Sequence, residues 1–391
     1  MNIIFKHVGS IRPIKNKLYI MMKTNPYSTS GYSRTIIFLI ILLVITPLTF
    51  FGQGNPTDSQ SVKVDSLKRK FILFGNEDIL NVSLQFDLST FMKKNLKTGS
   101  LDGIIAFALS ETDTIDRKVK IKPRGEYRYK TCGFPPIQLT FKKPVNAYAD
   151  TGKIKKIKLV THCQQGKAYD DFVLREYLVY KLFSVLTDTS FRVRLLRIEY
   201  IDTKKERKPI KQYGFFIEPL DIMAMRTNSS IVKVTHLSQK NIVPPVMDRV
   251  AIFSYMVAQW DWSVPGLHNI SVIVPKNYAG TGLGVAVPYD FDLTGLVNAS
   301  YGFPDIATGL TSNRDRKYAG ICRSREEFAR ALKEYRNLKG AFYSVINDFP
   351  YIDQKSKKDI TDFLDQFFNQ LDNQKDMERL IAQFMTSCKP L

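Results

Sequence analysis

Apolar residues recur at every second position in three successive segments, and this spacing constrains the chain more than any other feature. Val119 and Ile121 alternate with Lys118, Lys120 and Lys122. Ile137, Leu139 and Phe141 alternate with Gln138, Thr140 and Lys142, and Ile157 and Leu159 alternate with Lys156 and Lys158. Side chains of a strand point to opposite faces with a period of two, so strict alternation specifies an antiparallel sheet with one buried face. Ile104–Leu109 is a further short apolar run, and Phe191–Asp202 with Lys211–Glu218 reads as another strand pair around the charged turn Lys204–Lys208. Pro219 ends that ladder because it has no N–H to donate. Strands are therefore expected to dominate residues 81–220.

One main helix interrupts them. Tyr169–Leu186 opens with Asp170 and Asp171, which suit the positive end of the helix dipole. Glu176 lies on a stripe formed by Phe172, Val173, Val179, Tyr180 and Phe183. A carboxylate in such surroundings must be paired or neutralised, because an isolated buried charge is too costly. Lys156 and Lys158 on the preceding strand are the candidate partners. After residue 220 the pattern becomes helical. Val246–Trp260 is apolar, Arg323–Val345 starts with the acidic first turn Ser324-Arg325-Glu326-Glu327, and Ser356–Met385 places Ile360, Phe363, Phe367 and Leu371 on one face.

Between these helices lies the stretch Asp261–Asp292, DWSVPGLHNISVIVPKNYAGTGLGVAVPYDFD. Its apolar runs Ile270–Pro275 and Leu283–Pro288 flank an Asn- and Gly-containing turn, which predicts a β-hairpin. A hairpin sets the residue before its first strand beside the residue after its second. Asn269 is thus expected next to Asp290, with Asp292 two residues on and Asp261 on the incoming loop. An amide oxygen converging with carboxylates makes an all-oxygen site of the kind Mg²⁺ favours. Asx-turns or helix caps are the competing use of these residues.

The amino terminus reads as a targeting segment. Ile36–Phe51 is a nearly unbroken apolar run preceded by cations and followed by Gly52-Gln53-Gly54, the pattern of a secretory signal peptide. Met21 or Met22 would leave a conventional basic region ahead of it, and an uncleaved anchor is the alternative. Residues 1–54 are assigned to this segment and 55–80 to a polar linker. In either case the remainder faces out of the cytoplasm, and the N-terminal segment is the expected membrane contact. The net charge is +20, of which the leader supplies six cations and no acid, leaving +14 for the rest. The cations are spread over many segments, with no basic tail and no nucleic-acid-binding motif, so nucleic acid is not an expected partner. The four cysteines, Cys132, Cys163, Cys322 and Cys388, lack zinc-ligand spacing. Outside the cytoplasm they could form one or two disulfides, Cys132–Cys163 being one pairing.

In order along the chain, the parts resemble CotH-like atypical kinases, secreted or spore-coat relatives, with a looser similarity to HipA-like kinases. The likeness spans about residues 100–300. It is carried by Arg124-Gly125 followed by Phe134–Lys142, by Lys156–Leu159, by Leu174-Arg175-Glu176 with Leu182-Phe183, by Tyr213-Gly214-Phe215 through Glu218, by Asp261 to Asn269, and by Pro288–Asp292. The resemblance implies an α+β, two-lobed kinase-like fold, with an antiparallel-sheet lobe containing one main helix (81–220) and a mostly helical lobe carrying the hairpin (221–391). It implies ATP and Mg²⁺ as cofactors, with Asp290, Asn269 and Asp292 at the metal and Asp261 near the acceptor hydroxyl. Lys158, held by Glu176, is the implied phosphate contact, although Lys142 and Lys156 also fit a strand lysine. Arg124, Gly125 and Glu218 are placed around the nucleotide. The implied activity is phosphoryl transfer to a protein or small-molecule hydroxyl.

The chain also departs from typical kinases. Asp261 and Asn269 stand eight residues apart rather than five, Trp262 follows the Asp, and no Gly-rich phosphate loop is present. A non-catalytic envelope protein that binds a nucleotide or partner is therefore the second reading. A metal-dependent hydrolase using Asp261, His268, Asp290 and Asp292 is the third.

Overall fold

Every second residue of seven strands points into one closed interior, so the segments expected to form an open sheet wrap into a barrel instead. The computed structural model describes residues 71–93, 99–149, 151–234 and 236–390. Its strands are β1 (Leu80–Phe86), β2 (Leu101–Ala108), β3 (Thr114–Pro123), β4 (Ile137–Asn146), β5 (Lys153–Val160), β6 (Val193–Asp202) and β7 (Ile210–Ile217). They close in the order β1-β2-β3-β4-β5-β7-β6. Neighbours are antiparallel except β1 and β6, which run parallel and shut the barrel with Leu80 beside Leu196 and Phe86 beside Asp202. The expected two-lobed kinase-like fold with an open antiparallel sheet is therefore incorrect.

Glycine at two strand positions permits the tight coiling that closure needs. A Cβ on Gly103 of β2 would lie 2.6 Å from the Gln85 carbonyl oxygen. One on Gly214 of β7 would lie 2.8 Å from Val160 O and 2.7 Å from Ile198 Cδ1. Backbones approach there more closely than any larger residue allows.

The interior is filled by Leu84, Phe86, Phe107, Val119, Ile121, Leu139, Phe141, Leu159, Ile198 and Phe216 among others. The end of β5 and parts of β6 and β7 are buried on both sides: Val160, Leu195, Phe215 and Ile217 face away from the interior into a second core. That outer core is built on α3 (Lys167–Leu186), which follows β5; the short helices α1 (Leu88–Met92) and α2 (Glu126–Thr131) precede it. Burying a Leu or Phe side chain stabilises by about 1.5–3 kcal/mol, so the double-sided burial anchors α3 to the barrel wall.

After β7 come α4 (Leu220–Arg226), β8 (Ser229–Ile231) and α5 (Pro244–Met256), and then the hairpin of β9 (Ile270–Pro275) and β10 (Val285–Pro288). Strands β8, β9 and β10 form a small separate sheet in the order β10-β9-β8. The last helices are α6 (Arg325–Asn347), α7 (Gln354–Asp372) and α8 (Gln374–Ser387). Ser324 accepts from Glu327 N while the Glu327 side chain accepts from Ser324 N, so α6 starts with a reciprocal cap. Disulfides join Cys132 to Cys163 and Cys322 to Cys388. Among the described residues no helix is long and apolar enough to cross a membrane. The leader of residues 1–54, and residues 55–70 of the linker, lie outside the described residues.

Candidate functional site

The hairpin forms in the register that its sequence predicts, and this assembles one wall of a cleft. Ile270 pairs with Pro288, and Tyr289 N donates to Asn269 O at 2.9 Å. Asn269 and Asp290 leave the hairpin with φ of +52° and +62°, a left-handed conformation that Asn and Asp tolerate better than most side chains. Leu267 and Ala258 nearby also have positive φ, at +47° and +51°, where a Cβ is strained by about 1–2 kcal/mol. Such strain persists only when the surroundings overdetermine it, and it gathers at functional sites. The surroundings do so here. Asp290 N donates to Tyr180 Oη from α3 at 2.9 Å, and Gln259 Nε2 donates to Asp290 O at 3.2 Å.

Asp261 is drawn to the same wall. Its Oδ2 accepts from Asn269 Nδ2 at 3.0 Å and its backbone oxygen accepts from the same nitrogen at 2.8 Å. His268 Nε2 lies 2.7 Å from its Oδ1. The eight-residue interval between Asp261 and Asn269 is folded back by paired backbone hydrogen bonds between Ser263 and His268. With its nitrogen committed to Asp261, Asn269 has its carbonyl oxygen left to offer a ligand.

The facing wall comes from the end of β3 and from α2. Arg124, Gly125 and Arg128 line a cleft of about 390 Å³ together with Asp261, His268, Asn269, Asp290 and Asp292. Gly125 has φ +73° and ψ +116°, outside the range open to other residues, and its bend starts α2. Arg128, on α2, is buried between two carboxylates, 3.9 Å from Glu176 and 3.8 Å from Asp292. It also donates to Thr161 O and lies over the Tyr301 ring. The Cys132–Cys163 disulfide fastens the end of α2 to the chain leaving β5, beside Thr161 and His162.

Acidic charge here exceeds what Arg128 alone neutralises. Burial, then Asp290, pushes the Asp292 carboxyl up to about 6, against the pull of Arg128. Burial likewise lifts Glu176 well above the ordinary carboxylate range, with Asp292 adding to the shift. Burial, and secondarily Arg128, drives the His162 imidazole down to about 3, so this ring is neutral. Among the described residues, Glu176 Oε1, Arg124 Nε and Arg128 Nε are buried and find no hydrogen-bond partner.

The expected lysine–glutamate pair does not form: Glu176 is paired with Arg128. Lys158 instead places its ammonium 4.5 Å from the centre of the Tyr289 ring. Burial, then Arg124, lowers its pKa, and Asp290 partly offsets this. Lys158 lines a second cleft of about 490 Å³ with Gln138, Lys156, Phe191, Glu218, Leu220 and Tyr289. Tyr289 lines this cleft and Asp290 the first, so one peptide step contributes to both. Glu218 sits in the second wall with both oxygens engaged. They accept from Arg226 at 3.0 and 2.9 Å, from Tyr148 Oη at 2.6 Å and from Arg192 N at 3.1 Å. Its carboxylate thus holds the bend after β7.

Asp261, Asn269, Asp290, Asp292, Arg124 and Gly125 therefore share one cleft, Lys158 and Glu218 share the neighbouring one, and Glu176 lies buried behind Arg128. Sequence reasoning missed Arg128 and Tyr180. The one signal for Arg128 was indirect: a Cys132–Cys163 bridge requires the preceding residues to lie against the end of β5.

Among the described residues no group of three or more His, Cys, Asp or Glu side chains is arranged to hold a metal ion. Asp261, His268, Asp290 and Asp292, the residues of the hydrolase reading, all line the cleft without being gathered into such a group. The arrangement still suits Mg²⁺, which takes one or two carboxylates and completes its shell with water and phosphate oxygens. Asp290, Asp292 and the Asn269 oxygen would supply the protein ligands. Burial and the neighbouring carboxylates disfavour the charged forms of Glu176 and Asp292. No protein-family model matches the chain, and no curated protein matches its sequence.

Proposed function

We propose that the two neighbouring clefts bind a Mg²⁺-nucleotide and transfer its terminal phosphoryl group to a hydroxyl, the activity implied by the resemblance to CotH-like kinases. The observation that carries this reading is the pairing of an all-oxygen acidic wall with a wall holding the half-buried Arg124 and the buried Arg128. Phosphoryl transfer demands mainly positioning and charge neutralisation. Bound Mg²⁺ would offset the negative charge of the phosphates. Arg124 Nε, unpartnered and buried, is a donor for a phosphate oxygen, and Lys158 beside Asp290 is a second cation. The larger cleft, walled by Phe191, Ile217, Leu220 and Tyr289, offers apolar surface to a base. Asp261 would take the proton of the acceptor hydroxyl as its oxygen bonds to phosphorus and the nucleoside diphosphate leaves. Its hydrogen bonds to His268 and Asn269 hold the carboxylate in place for that step.

One observation favours non-catalytic binding as a second reading: both Asp261 oxygens already accept or share a hydrogen bond. Export is the compartment we infer, supported by two disulfides and by the leader. A thermal melt of the full chain with ATP, with and without Mg²⁺, tests the site. A ligand that binds only the folded state raises the midpoint by mass action. The expected result is a Mg²⁺-dependent rise that disappears in Asp290→Ala. Transfer of labelled γ-phosphate to an acceptor, lost in Asp261→Asn with nucleotide binding intact, separates catalysis from binding. Absence of any nucleotide shift refutes phosphoryl transfer and leaves the binding reading with a partner other than a nucleotide.

A further inference from the structure

Three adjacent strands of the barrel turn a field of lysines to solvent. β3, β4 and β5 bury Val119, Ile121, Leu139, Phe141, Ile157 and Leu159, so the intervening residues face out. The register places Asp102, Lys120, Thr140 and Lys156 on one rung and Lys122, Gln138 and Lys158 on the next. Lys118, Lys120, Lys122, Lys142 and Lys156 are exposed. Among the described residues one carboxylate pairs with this field: Asp102 Oδ1 lies 3.8 Å from Lys120 Nζ and 3.6 Å from Lys142 Nζ. On the helical surface, by contrast, Lys339, Lys358 and Arg379 have their own partners in Asp372, Asp362 and Asp376. This face thus carries excess positive charge, and an anionic partner would relieve its self-repulsion.

Position and size narrow that partner. Gln138, Lys155, Lys156 and Lys158 are also walls of the larger cleft, so the basic face runs into the candidate site. It spans about two strand spacings, roughly 10 Å, across and about 13 Å along β3 from Lys118 to Lys122. An extended polypeptide presents alternate side chains about 6.8 Å apart, matching the interval between Lys118, Lys120 and Lys122. No aromatic side chain is interleaved among these outward residues, as stacking on nucleic-acid bases would require. Ile104 is the one large apolar side chain exposed on the neighbouring rung, too little to insert into a lipid surface.

We propose that the β3–β5 face docks an acidic segment of polypeptide and leads a hydroxyl side chain from it into the cleft. The docking stands on charge and register alone; the fate of the hydroxyl rests on the phosphoryl-transfer reading. The probe is a fluorescein-labelled peptide of alternating Glu and Ser, followed by anisotropy with the full chain. The test variant is Lys118→Gln/Lys120→Gln/Lys122→Gln, which leaves the proposed nucleotide contacts untouched. The expected result is binding that weakens as salt rises and falls about tenfold in the variant, with the Mg²⁺-ATP thermal shift unchanged. As acceptor, the peptide should show a KM raised about tenfold by the variant and an unchanged kcat. Equal peptide affinity in the two proteins overturns the proposal. So does binding of phosphatidylserine vesicles or single-stranded DNA that is tighter than peptide binding and equally lost in the variant. Peptide binding without any nucleotide shift retains the docking face and refutes the phosphoryl-transfer reading instead.

Discussion

Replacing Asp292 with Asn should make the metal-free protein more stable at neutral pH. The carboxyl is buried, and burial followed by Asp290 raises it to about 6 from an ordinary 3.8. The folded state therefore binds the proton more tightly than the unfolded state. The resulting stability is fully present below about pH 4 and is lost as pH rises through about 6. A shift of that size corresponds to about 3 kcal/mol at 1.36 kcal/mol per pKa unit. Asparagine has no proton to lose, so Asp292→Asn removes this loss, less whatever attraction to Arg128 disappears with the charge. Unfolding entropy for a chain of this length is roughly 0.8 kcal/mol/K, so the midpoint should rise by up to about 4 °C. The assay is calorimetry of both proteins in EDTA from about pH 4 to about pH 7.5, bracketing the titration. The variant should melt with wild type at the acid end and above it at the neutral end. The reasoning is refuted if the variant melts at or below wild type near neutrality, or if the difference between them does not change with pH.

Arg128→Met leaves Glu176 and Asp292 without their buried cation and should cost about 3–5 kcal/mol at neutral pH, as measured by urea unfolding. That cost should shrink below about pH 6, where Asp292 takes up its proton. Cys132→Ser/Cys163→Ser opens a link spanning 31 residues and should lower stability by about 3–4 kcal/mol from loop entropy. It should also weaken Mg²⁺-ATP binding, because α2 and Arg128 lose their tether. Cys322→Ser/Cys388→Ser should cost stability without affecting nucleotide binding. Gly214→Val drives a side chain against Val160 O and Ile198 and should destabilise the barrel by about 3 kcal/mol, seen as a lower urea midpoint.

The strands were legible in the sequence because alternation is a local property, and closure was not because it is a global one. Val119, Ile121, Leu139 and Phe141 announce an inward face, but the same pattern serves an open sheet and a barrel equally. The deciding contact is the parallel pairing of β1 with β6, residues more than a hundred positions apart. Gly103 and Gly214 mark the tight crossings, yet a strand glycine can equally signal a bulge or a ligand approach. β6 and β7 carried a weaker alternation for the same reason that they became central: over part of each strand both faces are buried, one by the barrel interior and one by α3.

The site divides along the same line. Asn269 and Asp290 meet because a hairpin's geometry follows from its own residues, so their proximity could be read directly. The partner of Glu176 could not. Burial on the apolar stripe of α3 required a cation, and the nearest strand lysine seemed to meet that need. In the fold, Lys158 extends along the opposite, outward face of β5 to Tyr289, because its neighbours Ile157 and Leu159 occupy the interior. A buried position suits arginine better: its planar fork serves Glu176, Asp292 and Thr161 O at once, which a lysine ammonium serves poorly. Arg128 reaches that position only because the Gly125 bend and the Cys132–Cys163 link turn a short polar helix inward. A cation brought in by a covalent tether carries no periodic signature. The requirement for a counter-charge was therefore visible in the sequence, while its source depended on the disulfide pairing that the sequence left open.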